Sequence, residues 1–252
     1  SNSTNTACSD TNNTGFAFTV NQTPTNTNIT GDNNVCTGES STLTANSTVD
    51  NNVTNTYTWY RTSVTPGNLI VTNNSNTLSV NQTGNYFVVV TNTADNTCRD
   101  TVNTPFAFNV AQTPTNVNIT GDNSVCTGQN SVLTANGTID NNVANNYAWY
   151  RTSVAPGNII VGETNSTLTA TQSGTYFVVI SNSTNTVCND TNNTGFVLTV
   201  NQTPTNTNIT GDNNVCTGES ATLTANSTVD NNVTNTYTWY RTSVTPGKLI
   251  VK

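Results

Sequence analysis

The six cysteines are the residues of this chain with the most chemistry to offer. They form two series with one period: Cys8, Cys98 and Cys188 are spaced by 90 residues, and so are Cys36, Cys126 and Cys216. Thiols recurring in a fixed pattern point to disulfides and an oxidising compartment. Two pairings fit the count. Partners 28 residues apart (Cys8–Cys36, Cys98–Cys126, Cys188–Cys216) leave no thiol over. Partners 62 apart (Cys36–Cys98, Cys126–Cys188) leave Cys8 and Cys216 to find cysteines outside the chain. Joining Cys98 to Cys126 links the start of one domain's last strand to a point well inside the next domain's first strand. Extended chain rises ~3.3 Å per residue, whereas a disulfide needs Cα atoms within ~7 Å. The 62-residue pairing ties the first-strand edge to the last strand of one domain, and it is the expectation. Such a loop is worth ~4 kcal/mol in a chain-entropy account, against ~5–15 kcal/mol for a whole domain.

Other chemistry is sparse. The chain has no His and no Met, and it shows no nucleophile–base pair, metal cluster or phosphate loop. It reads as a non-enzyme without a cofactor. Gly31-Asp32-Asn33-Asn34 and Asp50-Asn51-Asn52 offer oxygen ligands of the kind calcium takes. Asp, Asn and Gly also close turns and tolerate left-handed backbone; with one carboxylate per cluster, turn chemistry is the reading and no metal is expected. Arg61, Arg151 and Arg241 recur two residues after Trp59, Trp149 and Trp239, as a ligand site or as stems covering the sandwich edge. A net charge of −7 with six Lys and Arg excludes a phosphate-binding stripe, and so a nucleic-acid partner. No apolar run approaches the ~20 residues that cross a bilayer.

The elements that must position these residues follow the same period. Tyr-x-Trp-Tyr-Arg-Thr-Ser-Val recurs around Trp59, Trp149 and Trp239, and Pro-Gly at 66–67, 156–157 and 246–247. Each repeat opens on Gln-Thr-Pro, at 22–24, 112–114 and 202–204. The division is 1–21 (the C-terminal part of a repeat), 22–111 and 112–201 (whole repeats), and 202–252 (an N-terminal part). Both ends cut through a domain, which suggests an excerpt of a longer chain. Residues 21–71 and 201–251 differ only at Ser41/Ala221 and Asn68/Lys248, so two repeat types alternate and the duplicated unit is two domains. In the first whole repeat, short alternating runs predict strands at 25–30, 35–36, 42–45, 57–63, 69–71, 77–80, 85–90 and 106–110. Pro66-Gly67 predicts a type II turn. With no helical period, the fold class is all-β: tandem Ig-like β-sandwich domains of about 90 residues, a size near that of known Ig sandwiches.

Val-Cys-Thr-Gly-Glu-Ser-Ser-Thr-Leu-Thr-Ala (35–45), Tyr-Thr-Trp-Tyr (57–60), Thr-Gly-Asn-Tyr-Phe-Val-Val-Val (83–90) and Cys98 resemble bacterial Ig-like (PKD-like) repeats. Such repeats occur in large cell-surface adhesins secreted by the type IX system, gliding-motility adhesins among them. The resemblance implies a structural stalk or surface filament for adhesion or gliding, extracellular at the cell surface. Its partners would be neighbouring repeats, other copies in a filament, and an unidentified surface or glycan. A non-catalytic module of a secreted hydrolase and a filament subunit are the alternatives. Trp59, Tyr86, Trp149, Tyr176 and Trp239 are the expected core aromatics. Each indole N–H needs a partner, and Tyr86 resembles a tyrosine corner. Leu43 and Val88 stand where antibody-type domains carry their core cysteines. Asp100-Thr101-Val102 resembles the short O-glycosylation signal of bacteria with this secretion system, which makes Thr101 a candidate for a glycan.

Overall fold

The computed structural model describes residues 14–49, 54–139, 143–228, 236–242, 244 and 249–251. The chain divides into two compact units, Ser1–Ala111 and Gln112–Lys252. In the first, the strands are β1 (Thr25–Thr30), β2 (Asn34–Cys36), β3 (Ser41–Thr48), β4 (Asn55–Arg61), β5 (Leu69–Asn73), β6 (Thr77–Val80), β7 (Gly84–Asn92), β8 (Arg99–Thr101) and β9 (Phe106–Ala111). They form two sheets, β1-β3-β6 and β2-β9-β7-β4-β5, with β8 also paired to β7. This is an all-β, Ig-like sandwich.

Alternation builds the core. Along β3 the side chains of Ser41, Leu43 and Ala45 turn inward while Thr42 and Asn46 face out, the period of two that a pleated strand imposes. Leu43, Trp59 and Val88 are each 0 % exposed, so the positions that antibody domains give to cysteines hold close-packed hydrocarbon here. Tyr86 meets the edge of Phe108 with ring centroids 6.1 Å apart. Its hydroxyl donates to the Gln82 carbonyl at 2.7 Å, which makes the tyrosine corner; Tyr176 repeats it on Gln172 at 2.8 Å.

The second unit carries β10 (Thr115–Thr120), β11 (Ser124–Cys126), β12 (Ser131–Thr138), β13 (Asn145–Arg151), β14 (Thr167–Ala170), β15 (Gly174–Asn182), β16 (Asn189–Thr191) and β17 (Phe196–Asn201) in the same topology, without a counterpart of β5. The last partial repeat contributes β18 (Thr205–Thr210), β19 (Thr224–Thr228), β20 (Trp239–Tyr240) and β21 (Leu249–Val251).

Three expectations change. The last strand stands where it is expected, as β9, but an additional short strand, β8, precedes it and also pairs with β7; Pro105, which has no N–H to give the ladder, separates the two. Pro66–Asn68 is a 3-10 turn in place of a type II turn. Gly67 has no positive φ, and Asn68 fixes the turn by donating its side-chain amide to Ser63 Oγ and Thr65 Oγ1 at 2.7 and 2.9 Å. Trp239 is only half-buried, because residues 202–252 carry no counterpart of β7, the strand that covers Trp59.

Candidate functional site

Among the described residues no constellation of reacting groups emerges; what recurs is the way each unit holds the two ends of its own chain. At the leading end, where the chain comes in, Asn92 is 1 % exposed at the close of β7. Its side-chain amide donates to the Gln22 carbonyl at 3.0 Å, and its Oδ1 accepts the Ala94 N–H at 2.9 Å. Asn182 repeats this in the second unit, donating to Gln112 O at 3.1 Å and accepting from the Thr184 N–H at 2.9 Å. A buried amide is tolerated only when its groups are paired, so the residue acts as a clamp on the incoming chain. Pro24 and Pro114 are buried and belong to the domains, not to exposed linkers.

At the trailing end the short strand β2 lies parallel to β9, with Cys36 level with Ala111. The Ala111 carbonyl accepts the Thr37 N–H at 2.9 Å and the Thr37 hydroxyl at 3.2 Å. Thr127 holds Asn201 in the same way, at 2.8 and 3.0 Å. The two ends are far apart. From Gly84 to Asn92, β7 alone covers about 26 Å at ~3.3 Å per residue. Gly84 pairs with Phe108, and β9 then runs on to Ala111, so the ends of a unit are ~35 Å apart by the same rise.

This geometry overturns the expected disulfides. Cys98 lies at the leading end: its carbonyl accepts the Asn92 N–H at 2.9 Å, and its thiol donates to Asn21 O at 3.8 Å. Cys36 lies at the trailing end of the same unit. The Cys36–Cys98 and Cys126–Cys188 pairs would each have to span a whole sandwich, against the ~7 Å limit between Cα atoms. Accordingly Cys98, Cys126 and Cys216 are free thiols, whereas Cys36 and Cys188 are disulfide-bonded. Cys8 lies outside the described residues. Cys98, expected at the start of the last strand, instead precedes the separate strand β8, at the other end of the sandwich.

The recurring arginines line a shallow cleft in each unit. Arg61, Thr62, Gln82 and Tyr86 border one of about 350 Å³, and Arg151, Thr152, Gln172 and Tyr176 one of about 420 Å³. Arg61 donates to Gln82 Oε1, and its stem lies on Gly84, where an added Cβ would come within 3.0 Å of it. Much of its role is therefore to close the sandwich edge over the tyrosine corner. Thr62 and Thr152 hold φ of 82° and 88°, a strained conformation for a β-branched residue, at the lip of this cleft.

The remaining candidates have structural uses. Asp100 accepts the N–H of Thr27 at 3.1 Å and of Thr101 at 2.9 Å, so the carboxylate beside the half-buried Thr101 ties β1 to β8. Gly31 has φ of 153°, and a Cβ there would fall 2.8 Å from the Thr42 carbonyl, which explains the glycine that opens the Asp32 turn. Among the described residues no three His, Cys, Asp or Glu gather as metal ligands; Asp50, Asn51 and Asn52 lie outside them. The sequence reading missed Asn92 and Asn182, whose only signal was recurrence in a chain crowded with asparagine.

No protein-family model matches the chain, and no curated protein does. Among solved structures, the chain is similar to a marsupial T cell receptor at 14 % identity and a TM-score of 0.48, over 73 % of this chain and 77 % of that one. It is also similar to the three N-terminal domains of the bacteriophage RB49 Highly Immunogenic Outer Capsid protein (Hoc) at 17 % identity and a TM-score of 0.32, over 82 % and 70 % respectively.

Proposed function

We propose that this chain is a non-catalytic, structural segment of an extracellular adhesin, in which Ig-like repeats follow one another to make a stalk or surface filament. The observation that carries the reading is that each unit holds the two ends of its own chain. Ala111 is pinned by Thr37 in one unit, and the very next residue, Gln112, is pinned by Asn182 in the other. Each unit takes the chain in at one end and releases it ~35 Å away by strand rise, which supports the stalk reading. The oxidised cysteines fit an oxidising, extracellular setting, and the resemblance to gliding-motility adhesins supplies the biological role.

Small-angle scattering of the chain tests this reading. A compact globule of 252 residues has a radius of gyration of ~18 Å; the stalk reading expects a value well above that, with a rod-like cross-section. A value near ~18 Å sinks it. The paired clefts favour a second reading, a binding module for a polar ligand. It expects a glycan array to give a signal that the double variant Arg61→Ala, Arg151→Ala loses.

A further inference from the structure

We propose that the cleft of the first unit takes a carboxylate-bearing sugar, a uronic acid, and that Glu163 turns the equivalent cleft of the second unit towards uncharged sugars. This builds on the binding-module reading of the paired clefts and names their ligands. Each cleft lies wholly within its own unit.

The cation sets the ligand's charge. Arg61 is half-buried, with its stem against Gly84. Among the described residues its guanidinium makes one hydrogen bond, donated to Gln82 Oε1. Gln82 is held in turn, because its carbonyl accepts the Tyr86 hydroxyl at 2.7 Å. A guanidinium carries several N–H donors in a rigid plane, so the bond that fixes the fork leaves donors over for a ligand. That fork matches the two oxygens of a carboxylate. Its charge offsets one carboxylate, not the ~1.5–2 negative charges of a phosphate monoester.

The surroundings suit a sugar. Thr62, Ser79, Asn81 and Gln82 line the same cleft, and their hydroxyl and amide groups donate and accept as sugar hydroxyls require. Leu69 and Ile70, 50 % and 44 % exposed, supply an apolar wall for the C–H face of a ring. Thr62 is held at φ of 82°, and backbone strain of this kind collects at ligand sites. At about 350 Å³, the cleft is at the small end of ligand sites, with room for a short saccharide.

The second cleft keeps the fork and changes the charge. Arg151 donates to Gln172 Oε1, and Tyr176 holds the Gln172 carbonyl at 2.8 Å. Glu163 also lines this cleft, whereas Asn73 stands 90 residues earlier in the sequence and none of the residues bordering the first cleft is acidic. The turn at Gly162 brings it there, with the Glu163 N–H bonded to the Ile160 carbonyl at 3.3 Å. A carboxylate in the cleft offsets the guanidinium and repels a second carboxylate. The same fork is thus left to neutral hydroxyls.

The test titrates the full chain with trigalacturonate, galactotriose and triglycine, following the amide resonances of Thr62 and Thr152 by NMR. Trigalacturonate should bind the first cleft at least about tenfold more tightly than the second, the scale of one charge-assisted contact. Added salt should weaken that binding, and galactotriose should not favour the first cleft. Glu163→Gln should raise the second cleft's affinity for trigalacturonate about tenfold, a gain that a damaged fold cannot produce. Arg61→Lys, which keeps the charge and loses the fork, should weaken the first cleft about tenfold. Equal binding of the acidic and neutral sugars in both clefts overturns the proposal and leaves the binding-module reading standing. No saturable shift from any of the three ligands sinks both. An unchanged second cleft in Glu163→Gln, or triglycine binding the first cleft as tightly as trigalacturonate, also overturns the proposal.

Discussion

The two complete repeats solve one problem differently: what to do with the indole N–H of the tryptophan that fills the core. Trp149 donates to the Asn165 carbonyl at 2.9 Å, whereas Trp59 is buried with no acceptor for its Nε1. The tryptophans and their strands are equivalent, so the cause lies in the segment that follows the 3-10 turn. In the first repeat, β5 continues to Asn73 and pairs Thr72 with Thr58 on β4. In the second, Gly162 stands at the position of Thr72 with φ of 87°. The chain turns there, Glu163 N–H bonds the Ile160 carbonyl at 3.3 Å, and Asn165 comes to the indole. One repeat keeps an extra edge strand and a polar orphan; the other gives up the strand and satisfies the core. Among the differences between these segments, Gly162 is the one whose backbone leaves the sheet, because its left-handed φ suits glycine.

The strongest way to break this comparison is Gly162→Thr. A β-branched residue at that φ costs about 1–3 kcal/mol, and the displaced loop should also take away the Trp149 acceptor. Amide exchange along β15 should show the second repeat losing about 2–3 kcal/mol while β7 is unchanged; a loss below about 0.5 kcal/mol, within the range of ordinary surface changes, means the turn does not hold the bond. Replacing each tryptophan by phenylalanine gives a smaller contrast. Both variants lose similar packing, but Trp149→Phe also strands the Asn165 carbonyl and Trp59→Phe removes an unpaired donor. The second repeat should lose about 1 kcal/mol more than the first, and equal losses would mean that the orphan carries no cost.

A third contrast lies just after the short strand β8 and its counterpart β16. Asn192 is buried and its Oδ1 accepts the Val178 N–H at 2.6 Å, while the first repeat has Val102 there, packed in the core. Asn192→Val should cost about 1 kcal/mol, less than the tryptophan loop variant because the new side chain suits a core position; faster exchange of the Val178 amide is the readout. The smallest effect is at the turn before Cys98. There Asp95 accepts the backbone N–H and the hydroxyl of Thr97, and these bonds hold its carboxyl below the ordinary aspartate range. A depressed folded pKa contributes stability that is present above the unfolded value and lost as pH falls through the folded one. The second repeat has Asn185 at this place, accepting the Val187 N–H at 3.3 Å. Acidification should therefore move the Thr97 amide resonance and leave that of Val187 still; parallel movement would assign the shift to something other than this carboxylate.

Much of the sandwich is legible in the sequence. The strands expected at 25–30 and 77–80 have those bounds, since alternation and turn residues are local signals. The inward Trp59 and the Tyr86 corner also follow from local pattern, a large aromatic on an alternating run and a Gly before a Tyr. The ends of the unit were not legible, and the disulfide error follows from that. Seeing that Cys36 and Cys98 lie at opposite ends requires knowing that β2 runs parallel to β9 and that β8 is a separate strand, both long-range facts. Asn92 is likewise one asparagine among many until the incoming chain is laid against it.

Residues 21–48 and 201–228 show where the division falls, for they differ only at Ser41/Ala221. Both fold β1 and its copy β18 against the next strand in the same register, Asn28 opposite Asn46 and Asn208 opposite Asn226, with the same slip at the bulge. Asn26 and Asn206 take the same positive φ, 56° and 53°. Alternation and turn chemistry determine that much without help from the rest of the chain. Yet Asn34–Cys36 is a strand and residues 214–216 are not, and Leu43 is 0 % exposed where Leu223 is 50 %. The difference lies in what is laid against them: β2 needs the parallel ladder of β9, and Leu43 needs the opposing sheet that carries Trp59 and Val88. A strand's backbone bonds and its buried face are both supplied by residues distant in sequence, so the sequence of the segment sets which side chains point one way. Only the tertiary structure decides whether that side is an interior.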